Sequence, residues 1–113
     1  APDVAMTMFA EWVADVTPAG HVPVLVAFNA VFDWMFVDAY FQRFLARNPF
    51  GHSALDIKAY YMGMTGSDWA STSMRILSPL YLGGRQLSHN ALGDARDQAE
   101  LFRRMIGARG ASE

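Results

Sequence analysis

The stretch VPVLVAF, residues 22–28, limits the possible folds more than any other segment. A short apolar run with a valine at every second position, bounded by Pro18-Ala19-Gly20 and Asn29, reads as a strand buried on both faces. Such a strand cannot stand alone, because every N–H and C=O along its two edges needs a partner. Residues 54–64 (ALDIKAYYMGM) begin as a short strand or turn and become helical, and no later segment has the β-rich alternation of a further strand. The strands that complete the sheet are therefore expected before Ala1. The opening residues, APDVAMTMF, lack an initiator Met, so the chain is expected to begin partway through a gene product.

The rest of the chain reads as helix. Residues 3–16 place Val4, Met8 and Trp12, with Ala5, Phe9 and Val13, on an apolar face. Asn29 caps a long helix over about residues 30–47, ended by Asn48-Pro49-Phe50-Gly51, with Phe32, Met35, Phe36 and Phe41 read as core. Residues 67–77 form a helix capped by Ser67 and closed by Pro79. The last helix follows the loop at Gly83-Gly84, with Asn90 as its cap and Leu92, Ala95, Ala99, Phe102 and Ile106 as its apolar face.

At 113 residues the chain is expected to be a single domain. A hydrophobic content of 52% argues for a packed chain over a disordered one. The net charge of −2 gives no overall attraction for a polyanion, so any nucleic-acid contact must be local. The lack of cysteine removes disulfides, thiolate metal sites and thiol nucleophiles, and fits a cytoplasmic protein. Residues 22–32 are too short to span a bilayer, which takes about 20 apolar residues, and no membrane partner is expected.

Two features carry chemistry. Asp33 falls in the first turn of the long helix, at the head of a stripe that continues through Val37, Tyr40 and Phe44. A carboxylate there is partly desolvated and needs a cation, a metal or several donors, although a simple helix N-terminal charge also accounts for it. His89 stands five residues before Asp94, the histidine on the loop and the aspartate in the first turn of the last helix. A helix start has no need of an imidazole there.

Together, NAVFD after a buried strand and HNALGDA opening the last helix resemble the second and third motifs of the DEDDh 3′–5′ exonucleases, the family of RNase T, oligoribonuclease and the proofreading epsilon subunit of DNA polymerase III. The resemblance runs from Val24 to Ile106 and takes in Leu55-Asp56, where the family commonly has a Leu-Asp pair. It implies an α/β fold, the C-terminal portion of a ribonuclease H-like exonuclease domain whose N-terminal strands are missing. It implies two Mg²⁺ or Mn²⁺ ions held by four acidic residues, the hard oxygen ligands such cations require, acting on the 3′ ends of single-stranded DNA or RNA. By position Asp33 and Asp94 become metal ligands, His89 the base that takes a proton from the attacking water, and Asn29 a substrate contact. The dimeric habit of relatives and the free strand edge make a homodimer an expectation.

The family's first motif, Asp-x-Glu, is absent. The three glutamates are preceded two positions earlier by Phe9, Gln98 and Ala111. The second motif also departs, with Phe28-Asn29 where many members have His-Asn. The expected function is thus a truncated exonuclease domain, inactive by itself. The alternative is a non-catalytic relative that binds nucleic acid or protein, and a third reading is a helical interaction protein with an accidental His89–Asp94 pair. His21 and His52 read as surface residues and Asp56 as a structural acceptor. Trp34 and Trp69 could stack on a base but read as core, and Arg103 and Arg104 as partners of the last helix's C-terminal dipole.

Overall fold

The structure, a computed structural model, describes residues 1–83 and 90–112, with backbone alone for 109–112. In chain order it has α1 (Pro2–Val16), β1 (Leu25–Ala27), α2 (Ala30–Leu45), β2 (Ala54–Asp56), α3 (Ile57–Thr65), α4 (Met74–Tyr81) and α5 (Ala91–Ser112). It is an α/β arrangement, mostly helical, in which β1 and β2 form a two-stranded parallel sheet.

β1 is shorter than the apolar run that contains it. Pro23 offers no N–H to a ladder, and Asn29 turns the chain away at φ 63°. Nor is the strand buried on both faces: Ala27 is buried, Leu25 half-buried and Val26 exposed, since the only ladder among the described residues is the one with β2. The left-handed φ of Asn29 differs from the extended backbone usual at an N-cap, so this residue acts as the turn into α2.

The chain gathers into two compact units, one of Ala1–Leu25 with Ala30–Leu55, the other of Val26–Asn29 with Asp56–Glu113. In the first unit α1 packs on α2 around Met6, Ala10 and fully buried Phe41. Phe9 and Phe50 close the cluster, with ring centroids 5.2 and 6.4 Å from that of Phe41. Phe9, Val13 and Phe41 face inward as periodicity predicts, but the other expected residues do not. On α1 it is Met6, Ala10 and Val13 that are buried, while Val4, Met8 and Trp12 are exposed. On α2, Phe32, Met35 and Phe36 are more than half exposed and only Phe41 is core. Both helices are apolar around much of their circumference, so periodicity could not say which side would meet the neighbour.

The second unit has its core at Ile57, Tyr61, Leu77, Leu82, Leu101 and Met105. Asp56 caps α3, its carboxylate accepting the Ala59 N–H at 2.9 Å, as expected of a structural acceptor. Gly66 ends α3 at φ 75°, its N–H donating to the Met62 carbonyl. The helix expected over 67–77 divides. A 3₁₀ turn at Trp69–Ser71 comes first, then α4 begins after Ser73, with Pro79 inside it rather than beyond it. Proline costs the helix a hydrogen bond to the residue four back, but α4 ends two residues later, so little helix remains to be disturbed. Buried Thr72 closes the 3₁₀ turn, its N–H and hydroxyl both donating to the Trp69 carbonyl, at 3.1 and 2.8 Å.

The inner face of α5 departs from expectation except at Phe102, which packs against the core as expected. Leu101 and Met105 are fully buried, whereas Leu92, Ala95, Ala99 and Ile106 are exposed. The helix runs well past Arg103 and Arg104, which therefore do not serve its C-terminal dipole. Both bond the Glu100 carboxylate, and Arg104 also donates to the Tyr81 carbonyl at 2.7 Å. Among the described residues no helix is long and apolar enough to cross a membrane.

Leu101→Ala removes a fully enclosed side chain and is expected to destabilise the fold by about 2–5 kcal/mol, read from denaturant unfolding. The acid limb of stability has a specific contributor in Glu100. Hydrogen bonds from Arg103 and Arg104 hold its carboxyl down from 4.5 to about 2. The stabilisation is thus complete above the unfolded value and is lost as the pH falls from about 4.5 through about 2. Glu100→Gln should remove that part of the acid dependence, a small effect because the pair lies at the surface and is screened.

Candidate functional site

One side chain links α5 directly to the end of β1. Gln98 accepts the Phe28 backbone N–H through Oε1 at 3.0 Å, joining the end of β1 to the helix. Gln98, Leu101 and Met105 lie three and four residues apart and so form one stripe, turned toward the core. Four residues before Gln98, on the same stripe, is Asp94. It lies one turn nearer the helix start, where the stripe leaves the core, and is exposed there. The helix start is fixed by Asn90, which caps as expected: its Oδ1 accepts the Gly93 N–H at 2.7 Å and its carbonyl accepts the Asp94 N–H at 2.9 Å. A carboxylate in this first turn is favoured by the helix dipole.

Asp33 belongs to the first unit. It is half-buried in the first turn of α2, one turn before half-buried Val37, which packs against the Phe41 cluster. Asn29, in the second unit, is exposed at the left-handed turn after β1. His89 lies outside the described residues. Asp33 and Asp94 thus belong to different compact units, each placed by its own helix. Among the described residues no group of three or more His, Asp or Glu side chains comes together. His21 and His52 are exposed, as expected.

Near the Phe28 turn, Gln98 and Lys58 carried no functional signal in the sequence, and Trp69 offered base stacking only as the lesser of two readings. Gln98 stands at helical spacing from Leu101 and Met105, but its polar side chain gives no apolar signal of an inner face. Lys58 is the single lysine of the chain, and its ammonium stands over two rings, 5.3 Å from the centroid of Phe28 and 4.8 Å from that of Trp69. Trp69, expected in the core, is 51% exposed.

The sequence is similar to that of a bacterial nuclease. It is 43% identical over 102 residues to an Escherichia coli protein named 3′-5′ DNA exonuclease Cap18, across 90% of this chain and 54% of that protein. The chain therefore spans about half the length of this relative. No family model matches it.

Gln98→Ala would leave the Phe28 N–H without its acceptor in a partly buried setting, at a cost of about 1–3 kcal/mol. Amide hydrogen exchange at Phe28 should accelerate in the variant. Unchanged protection there would show that the bond does not hold α5 to the strand.

Proposed function

We propose that this chain is part of a 3′–5′ exonuclease of the DEDDh type that removes terminal nucleotides from single-stranded DNA. The observation that carries the proposal is the 43% identity to a protein named as a 3′-5′ DNA exonuclease. That name favours DNA over RNA, between which the sequence motifs do not choose. Two local features support the reading. Asp94 stands where the inner stripe of α5 emerges beside the strand-end turn, and the crevice outside the carboxyl ends of strands is where open α/β sheets bind ligands. Asp33 occupies a half-buried first turn, where the helix N-terminus offsets part of the desolvation of its charge.

In this proposal Asp33 and Asp94 are two of four acidic ligands for two Mg²⁺ or Mn²⁺ ions, and His89 is the general base. Carboxylate oxygens suit these hard cations, which polarise the phosphodiester when bound. The remaining ligands, an Asp-x-Glu pair, are assigned to protein outside the 113 residues, in keeping with a relative of which the match covers 54%.

The test uses the 113-residue chain beside the longer product of its gene, each with Mg²⁺ and a 3′-labelled oligonucleotide. The short chain should be inactive and the longer one active. In the longer protein Asp33→Ala and Asp94→Ala should each lower turnover by orders of magnitude. His89→Ala should lose about 10²- to 10⁴-fold, together with the acid limb of the pH–rate profile. Near wild-type rates in the aspartate variants would overturn the family assignment, and an unchanged acid limb would remove His89 from the mechanism.

A further inference from the structure

Lys58 carries a charge met by rings rather than by a carboxylate. Its ammonium stands 4.8 Å from the Trp69 centroid and 5.3 Å from that of Phe28, and among the described residues it has no acidic partner. The acidic residues nearest to it and to Trp69 in sequence have other bonds. Asp56 accepts the Ala59 N–H, and Asp68 accepts the Ser71 hydroxyl at 2.9 Å. Cation–π contact leaves the ammonium's donors available, because a ring face accepts charge without taking up specific hydrogen bonds.

Trp69 sits on a hydrogen-bonded turn and is left open. Its carbonyl receives both the N–H and the hydroxyl of buried Thr72, which fixes the backbone beneath the ring, while the residue stays 51% exposed. An exposed tryptophan on a fixed turn loses little freedom when another planar group stacks on it. Lys58 is half-buried, so its stem is also partly ordered in advance.

These residues continue into the stripe that carries Asp94. Trp69 touches Lys58, Lys58 stands over Phe28, the Phe28 N–H bonds Gln98, and Asp94 is one turn further along α5. All belong to the second compact unit.

We propose that Lys58 and Trp69 form a subsite for single-stranded nucleic acid, the ammonium taking a backbone phosphate and the open indole surface stacking on a base. The pairing of a cation with an aromatic face is the chemistry by which single strands are bound without regard to sequence. The inference rests on the nuclease reading of the chain and adds to it a place where the strand is gripped. Since the net charge is −2, the grip must come from such a local site.

The 113-residue protein is titrated against a fluorescein-labelled single-stranded oligodeoxynucleotide, following anisotropy at several salt concentrations without divalent metal. Trp69→Ala should weaken binding about 5- to 150-fold, the range for loss of one base–aromatic stack, with the salt dependence unchanged. Trp69→Phe should retain most of the affinity. Lys58→Gln should weaken binding and make the slope of log K against log salt shallower by about 0.7, the signature of one lost phosphate contact on a single strand. A residue that merely packed α3 against the 3₁₀ turn would change melting temperature without altering that slope. Binding that is equal in wild type, Trp69→Ala and Lys58→Gln overturns the subsite, and so does failure of the wild-type chain to bind. The exonuclease reading is judged separately, by metal-dependent degradation in the longer gene product, so either can fail while the other stands.

Discussion

The Phe28 amide finds its acceptor 70 residues further along the chain, in the side chain of Gln98. A strand-end N–H that is partly buried must be paired, and no backbone carbonyl serves it here. Satisfying it with a glutamine fixes the rotation of α5, because only one orientation of the helix brings Gln98 to the strand end. In that orientation Leu101 and Met105 fall into the core, and Leu92 and Ile106 are turned outward although they are equally apolar. Asp94 and the helix start follow from the same choice. The hydrogen bond contributes about 1 kcal/mol net, far less than the two buried side chains, and favours the same orientation as they do.

The exposed apolar surface of the first unit has a related origin. α2 carries Phe32, Met35 and Phe36 on one side and Phe41, Phe44 and Leu45 on another, and α1 can cover only one of them. The covered side is joined by Phe50, beyond the end of α2, which adds a third ring to the Phe9–Phe41 pair. Burial here is decided by which neighbour is present, and the helix's own sequence does not encode that.

This explains what could be read in advance. Element positions were legible where local chemistry dictates them: Asn90 as the cap of α5, Asp56 as an acceptor, the strand before Asn29, and a short strand leading into α3. These depend on residues within a few positions of one another. The inner faces of α1, α2 and α5 were legible only in part: Phe9, Val13, Phe41 and Phe102 pack inward as expected, but which other apolar residues join them depends on a partner far along the chain, and each helix offered more than one apolar stripe. The break at Thr72 was missed for a similar reason: a threonine whose hydroxyl bonds the carbonyl three residues back looks in sequence like any helical threonine. Of the candidate site, the positions of Asp33 and Asp94 in first turns were legible from spacing. Base stacking by Trp69 was legible as a possibility, but its pairing with Lys58 was not, since nothing local distinguishes an exposed tryptophan from a buried one.

The route of the chain through its two units carries a further consequence. Residues 26–29 belong to the second unit, but the chain then leaves for Ala30–Leu55 before returning at Asp56. Neither unit is a continuous length of polypeptide, so no single cut can release one of them whole. A fragment starting at Asp56 would keep most of its core and lose Phe28, and with it the partner of Gln98 and one of the two rings facing Lys58. Such a fragment could regain its missing piece only by recruiting a separate peptide. During synthesis, likewise, the four residues of the first visit must wait for their partners on α3 and α5, most of which emerge only after the whole of α2 has been made.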